Sequence, residues 1–310
     1  MVSINDFSDY IEINGKKQFL SVCSRDIRLP VLLYLHGGPG DAALPLVKKF
    51  NSSLENYYTV AVWEQRGSGK SFYRFSKDDD INIQLFIEDI HKIVEFLLHK
   101  YKQDKVYLLG HSWGSVIGLK FVQLYPELIH TYIGCGQVVN MEKSSRIAYE
   151  YAIDKCVERN NIKTLGKLKN IDCTYSSEHW FEDLLFVTRQ VVKYGGSLYG
   201  EKNYYKLVKP FIFSKEYSLI DLINRQKGSM QSIKRLWQEL MAVNFEPDTS
   251  FSVPIVFIEG KYDYHVSSQV AKSYLDTILT PKKFVWFENS CHFPQWSEAS
   301  KFTEVLSSIL

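Results

Sequence analysis

The run Gly110-His111-Ser112-Trp113-Gly114 has the G-x-S-x-G form, in which a serine sits on a sharp strand-to-helix turn with a strained backbone and an exposed hydroxyl. A serine presented this way can attack a carbonyl. The flanking glycines are needed because side chains there would collide with neighbouring backbone. The bare pattern arises by chance in on the order of one chain in ten of this length, and the bland alternative is a helix packed close to a strand with Ser112 as its cap. A second run, His36-Gly37-Gly38-Pro39-Gly40, has too little side chain to be a packing element, but its backbone N–H groups can face an anionic oxygen. Carbonyl attack by a serine creates such an oxygen. The donors expected for it are the amide after the nucleophile, Trp113, and one from this loop, Gly38. The loop also reads as a flexible Gly-Pro turn or a phosphate cradle; the chain has neither G-x-x-x-x-G-K-[ST] nor G-x-G-x-x-G, which disfavours the cradle.

A serine nucleophile needs a base and an orienting acid, expected downstream in the order Ser, Asp or Glu, His. Asp263 lies in the turn Gly260-Lys261-Tyr262-Asp263 and His292 in Asn289-Ser290-Cys291-His292, each following an apolar run that reads as a strand. Competing residues are weaker. His265 would serve as base only with another acid upstream; His130 and His179 read as packed or solvated; His91 and His99 precede the serine on a helical pattern. Glu259 and Glu288 are alternative acids, each at a strand end rather than in the loop beyond. Three turns in the right order and place favour catalysis over coincidence.

These turns need a scaffold that brings strand ends together. The short apolar runs Val31–Leu35, Tyr58–Trp63, Lys105–Leu109, Thr131–Cys135, Pro254–Glu259 and Lys283–Phe287 read as strands, the first three buried on both faces. Between them lie helical patterns, clearest at Ile83, Phe86, Ile87, Ile90, Val94, Leu97, Leu98 and Tyr101, whose spacing of three and four gives an amphipathic helix. Alternating strands and helices mean a mostly parallel α/β sheet, with ligands gathering beyond the strands' carboxyl ends. Asn14-Gly15 between two strand-like segments predicts an opening antiparallel hairpin with a type I′ turn. Residues 139–249 show helical periodicity, many aromatics and no clear buried strand, so they read as a helical insertion between core segments 1–138 and 250–310.

Composition bounds the rest. The chain has 310 residues, 45% hydrophobic and 23% charged, which suits a globular protein and leaves disorder and coiled coil without support. A net charge of +2 implies no nucleic-acid partner. Five cysteines without C-x-x-C spacing argue against a disulfide framework or a zinc site and fit a reducing cytoplasm. The opening residues MVSINDFSDY lack the features of a secretory signal, and no apolar run reaches the ~18 residues of a membrane span. The expected protein is cytoplasmic, has no membrane partner, and needs neither metal nor organic cofactor.

HGGPG at 36–40, WEQRGSGKS at 63–71 and GHSWGS at 110–115 together resemble the prolyl aminopeptidase (proline iminopeptidase) family of α/β-hydrolases, which carry H-G-G-P-G, D-Q-R-G-[SC]-G-x-S and G-[GH]-S-W-G. Glu64 stands where the family has aspartate. The resemblance implies the α/β-hydrolase fold, a mostly parallel sheet with helices on both faces and an inserted helical cap at 139–249. It implies Ser112 as nucleophile, Asp263 as orienting acid, His292 as base, and the Gly38 and Trp113 amides as oxyanion donors. It further implies acidic cap residues that bind a substrate's free α-amine, although the family's E-N-H-Y-F type of cap signature is absent. Glu178 and Glu182, spaced to share one helical face beside Asp183, and Glu239 after Trp237 are the candidates; the bland reading makes them solvated acids. The cap's aromatics read first as lid packing and second as a pocket for an apolar or prolyl side chain. The expected activity is an aminopeptidase releasing a prolyl or other apolar N-terminal residue from short peptides. The alternative is a carboxylesterase or lipase acting on small acyl esters, and a catalytically silent ligand receptor is disfavoured by the filled triad positions.

Overall fold

The computed structural model describes residues 7–310; the first six residues of the segment read above for a signal lie outside the described residues. Eight strands, β1 (Phe7–Ile13), β2 (Lys16–Cys23), β3 (Val31–Leu35), β4 (Thr59–Glu64), β5 (Val106–His111), β6 (Ile129–Cys135), β7 (Ile255–Gly260) and β8 (Lys282–Phe287), form one sheet. Its order is β1-β2-β4-β3-β5-β6-β7-β8. The β1/β2 and β2/β4 pairs are antiparallel and every other pair is parallel. Asn14 and Gly15 join β1 to β2 with φ of 46° and 71°, both left-handed, as the type I′ turn requires.

Helices α1 (Leu44–Phe50), α2 (Ile83–Tyr101) and α3 (Trp113–Leu124) connect the first strands. Five more, α4 (Met141–Glu158), α5 (Ile162–Leu168), α6 (Trp180–Lys193), α7 (Tyr205–Ile212) and α8 (Leu219–Met241), fill the stretch between β6 and β7, which adds no strand to the sheet. Then follow α9 (Ser268–Thr277), α10 (Pro294–Ser297) and α11 (Ala299–Ser307).

Alternation along the buried strands divides the core. Leu33, Leu35, Leu108 and Phe257 pack with α2, α3 and α9 through residues such as Val94, Ile117 and Tyr274. Leu32, Tyr34, Leu109 and Ile258 face the other way, onto Leu44, Trp296, Phe302 and Leu306. Helices therefore cover both faces, and the central strands β3 and β5 can be apolar along nearly their whole length because neither face meets water.

The stretch between β6 and β7 is tied at its root and laid over the strand ends. An Asn140–Asn244 bridge, with Met141 N donating to Val243 O at 3.0 Å and Phe245 N to Val139 O at 2.9 Å, brings its two ends together. From α8, Arg225 pairs with Asp41 just after the glycine loop, and Gln231 Nε2 donates to Gly67 O and Tyr73 O at 3.2 and 2.9 Å. Beneath, Arg66 makes a bidentate contact with Asp89 on α2 at 2.8 and 2.7 Å, both groups buried. Asn14 and Gln18 donate to the same carboxylate at 2.8 and 2.9 Å, so the hairpin is keyed to α2. Removing one partner of such a pair strands a buried charge, at a cost of ~3–5 kcal/mol.

Candidate active site

Strand β5 ends at His111 and α3 begins at Trp113, leaving Ser112 between them with φ 53° and ψ −119°. A non-glycine residue held there stores roughly 1–3 kcal/mol of backbone strain, which surrounding bonds must hold in place. Ser112 N donates to Cys135 O at the end of β6 at 3.1 Å, and Ser112 O accepts from Ser115 N at 2.8 Å and Ser115 Oγ at 2.5 Å. Gly114 has no room for a side chain, since a Cβ would fall 2.1 Å from Leu35 O. The helix therefore starts against the end of β3, where the glycine loop begins.

That loop is oriented by His36. Its Nδ1 donates to Gly37 O at 2.7 Å and its Nε2 accepts from Gln65 N at 3.1 Å, a tautomer assigned from these partners. Burial pushes its pKa down to about 4, so the ring is neutral. In a trans peptide the N–H points opposite to the C=O; tethering the Gly37 carbonyl to His36 therefore turns the Gly38 N–H away from that ring. Gly38, Pro39, Ser112 and Trp113 line the same cavity. The Trp113 N–H lies in the first turn of α3, where no intrahelical acceptor exists.

Gln65, fully buried, joins the glycine loop to the serine turn: its Nε2 donates to His36 O at 2.8 Å, and its Oε1 accepts from Trp113 Nε1 at 2.9 Å. Beside it, Glu64 accepts from Lys70 N at 2.6 Å and from the Tyr217 hydroxyl, and burial pushes its pKa up to about 7.

The structure brings Asp263 and His292 together. The loops that carry them are joined by Lys261 N donating to Phe287 O and Tyr262 N to Ser290 O, both at 3.0 Å. His292 Nδ1 donates to Asp263 Oδ2 at 2.8 Å, while Asp263 Oδ1 accepts from His265 N at 2.8 Å and Val266 N at 2.9 Å. Both side chains are buried, which pushes the carboxyl pKa up and the imidazole pKa down, each toward its neutral form. His111 Nε2 donates to His292 O at 2.9 Å, holding the imidazole's backbone beside the serine turn. Among the described residues Ser112 Oγ makes no hydrogen bond; a nucleophile–base contact commonly tightens only once substrate is bound.

The competing residues are elsewhere or differently used. His130 stacks on Tyr107, His91 packs on Tyr125, and His179 is exposed beside Glu178. His99 is exposed on α2. Glu288 pairs with Lys261 at the surface, and Glu259 is fully buried, where burial pushes its pKa well above the carboxylate range. His265 does border the cavity, with its ring centroid 4.7 Å from that of His292.

The cavity has a volume of about 160 Å³ and is lined by Ser112, Trp113 and residues of α4, α6 and α8, among them Met141, Leu184, Val191 and Trp237. The three acids expected to meet a substrate amine do not line it. Glu178 precedes α6 instead of sharing a helical face with Glu182, and its side chain is 88% exposed. Glu182 is exposed in the first turn of α6, where the helix dipole favours an acid. Glu239 is exposed, with Oε2 accepting from Ile83 N at 2.9 Å at the start of α2, and it lines a different groove.

Sequence reasoning missed Gln65, His111 and the turn at 196–197, whose carbonyls accept from Tyr264 N at 2.9 Å and His292 N at 3.0 Å. Gln65 and His111 stood inside quoted motifs, which was their signal. Nothing in the sequence marked the turn, because its contact is through backbone.

The sheet, the serine turn and the glycine loop define an α/β-hydrolase, and residues 30–169 match a family model described as the alpha/beta hydrolase fold. The chain is 33% identical over 302 residues to the "probable aminopeptidase YbaC" of Bacillus subtilis, spanning 96% of this chain and 94% of that protein. It is 25% identical to the proline iminopeptidase of Saccharolobus solfataricus, over 90% of this chain and 84% of that one. Among solved structures, the proline iminopeptidase-related protein TTHA1809 of Thermus thermophilus superposes with a TM-score of 0.69 at 17% identity, covering 99% of this chain and 98% of the other. The chain belongs to the prolyl aminopeptidase (proline iminopeptidase)-like family of α/β-hydrolases.

Proposed function

We propose that this hydrolase works through an acyl-enzyme on Ser112, releasing a prolyl or other apolar N-terminal residue from short peptides. The observation that carries the reading is Ser112 held at φ 53° between β5 and α3, next to His111, which bonds the backbone of a buried His292 whose Nδ1 is 2.8 Å from Asp263 Oδ2. In this reading His292 Nε2 takes the Ser112 proton as Oγ attacks the carbonyl, and Asp263 fixes the tautomer that leaves Nε2 free. The Gly38 and Trp113 amides receive the developing oxyanion. His292 returns the proton to the leaving group, then activates a water that hydrolyses the acyl-enzyme. Helices α4–α8 act as the cap, with core segments 1–138 and 250–310. The peptide reading is supported by the names of the relatives.

A second reading, a carboxylesterase acting on small acyl esters, is favoured by one observation: no carboxylate lines the cavity. A cytoplasmic location also belongs to this proposal, supported by five cysteines that form no disulfide among the described residues. Among the described residues no helix is long and apolar enough to cross a membrane.

The mechanism is tested by a serine-directed fluorophosphonate followed by peptide mapping. The adduct is expected on Ser112 alone; an adduct on another residue, or none under conditions where the enzyme turns over, refutes it. The oxyanion assignment has its own test. Gly38 has φ of +134°, and a Cβ there would fall 2.5 Å from Gly40 N, so Gly38→Val must move the loop. If that displaces the amide, kcat should fall by about 10²–10³ with little change in KM. A folded variant with full kcat removes Gly38 from the mechanism.

A further inference from the structure

We infer that this site takes the acyl group of its substrate in uncharged form, so that an ammonium on that group is a penalty and not a handle. The inference rests on Ser112 forming the acyl-enzyme and adds the class of acyl group. None of the 19 residues lining the cavity is Asp, Glu, Lys or Arg. Its polar side chains are neutral: the hydroxyls of Ser112, Ser145, Thr188 and Tyr175, the indole N–H groups of Trp113 and Trp237, and the His265 ring. Burial, reinforced by His292, pushes His265 down to about 4, and burial pushes the Tyr175 phenol up.

Charges behind the walls are already engaged or set back. Asp263 accepts three hydrogen bonds. Asp41, behind the glycine loop, pairs with Arg225. Asp183 on α6 and Asp172 are the acids felt by Tyr175; Asp172 is held by Thr174 and Ser176, and neither acid is in the cavity lining. An ammonium in such a space loses water without gaining a counter-ion, and the usual outcome is that the group gives up its proton. The volume of about 160 Å³ resembles an engineered apolar cavity of ~150 Å³ that admits benzene, so the acyl group is ring-sized. A neutral carbocycle and a deprotonated pyrrolidine both satisfy this, and the inference therefore bears on charge and not on amide against ester.

The test is an isosteric pair, prolyl and cyclopentanecarbonyl, each as the 2-naphthyl ester and the 2-naphthylamide. With an amine pKa of ~8, about a tenth of the prolyl compound is neutral at pH 7. The carbocycle should therefore lead in kcat/KM by about tenfold at pH 7. The prolyl rate should climb through the amine's pKa and close the gap near pH 9, while the carbocycle stays flat over that range. Protection of Ser112 against fluorophosphonate labelling by the same pair ranks them even where turnover is slow. Thr188→Asp, which places a carboxylate in the wall, should reverse the preference at pH 7; the ratio between substrates is read because it does not depend on how much variant folds. Equal rates, a prolyl lead at pH 7 or a fall in the prolyl rate toward alkaline pH overturns the inference. If Ser112 is not labelled at all, the acyl-enzyme reading fails instead.

Discussion

Ser112→Ala should lower turnover by on the order of 10⁶, the scale of nucleophile removal in subtilisin, while leaving the protein folded. The size of the effect follows from the division of labour in the site. In the proposed mechanism His292, Asp263 and the two amides stabilise charge that exists only once Ser112 Oγ has bonded to carbon, so without that oxygen they have little to act on. Folding should survive for two reasons. Among the described residues the Ser112 hydroxyl makes no hydrogen bond, so none is lost. Alanine also keeps the Cβ, so the strain of φ 53° is the same in both proteins. Thermal unfolding within a few degrees of the parent, together with loss of both turnover and fluorophosphonate labelling, is the expected result. Residual turnover above about a hundredth of the parent would place the nucleophile elsewhere.

The serine turn was legible in the sequence because its constraints are local. Two glycines, an apolar run before and a helical pattern after define it, and in the structure the helix starts at Trp113, directly after the serine. The hairpin at Asn14-Gly15 was legible for the same reason, both residues tolerating left-handed φ. The pairing of Asp263 with His292 was legible only as an order along the chain; their contact depends on β7 and β8 being neighbours in the sheet, which no local pattern states. The cavity walls were least legible. Glu178 and Glu182 satisfy a helical spacing, but that spacing is silent on where the helix begins and on which face turns inward. Helix α6 begins at Trp180 and buries Phe181, Val187 and Val191, so Glu182 is left in water. Burial of those apolar groups outweighs any placement that would carry a carboxylate inward unpaired.

Asp263→Asn should lower kcat by ~10⁴, the scale of the same change in the serine-protease template, whereas His265→Ala should keep kcat within about tenfold. The asymmetry lies in what each oxygen of Asp263 meets. Oδ1 accepts the His265 and Val266 amides at 2.8 and 2.9 Å, and Oδ2 accepts His292 Nδ1 at 2.8 Å. Asparagine keeps one acceptor, which the two amides will hold, and turns its NH₂ toward the imidazole. The imidazole must then accept at Nδ1, which puts its proton on Nε2 and leaves no lone pair there for the Ser112 hydroxyl. His265 faces the cavity and supplies its backbone amide to Asp263; truncating its side chain leaves that amide in place. The pH profile separates this from a merely structural loss. The proposed mechanism requires neutral His292, so activity should be present above the imidazole's pKa in the folded protein and lost as pH falls through it. Burial sets that pKa below the ordinary ~6.5. Losing the carboxylate removes a partner of the imidazolium, so the acid limb of the residual Asp263→Asn activity should lie lower still. A kcat within tenfold of the parent, or an acid limb that moves upward, would sink the assignment of Asp263, and a dead His265→Ala beside an active His292→Ala would transfer the base to His265.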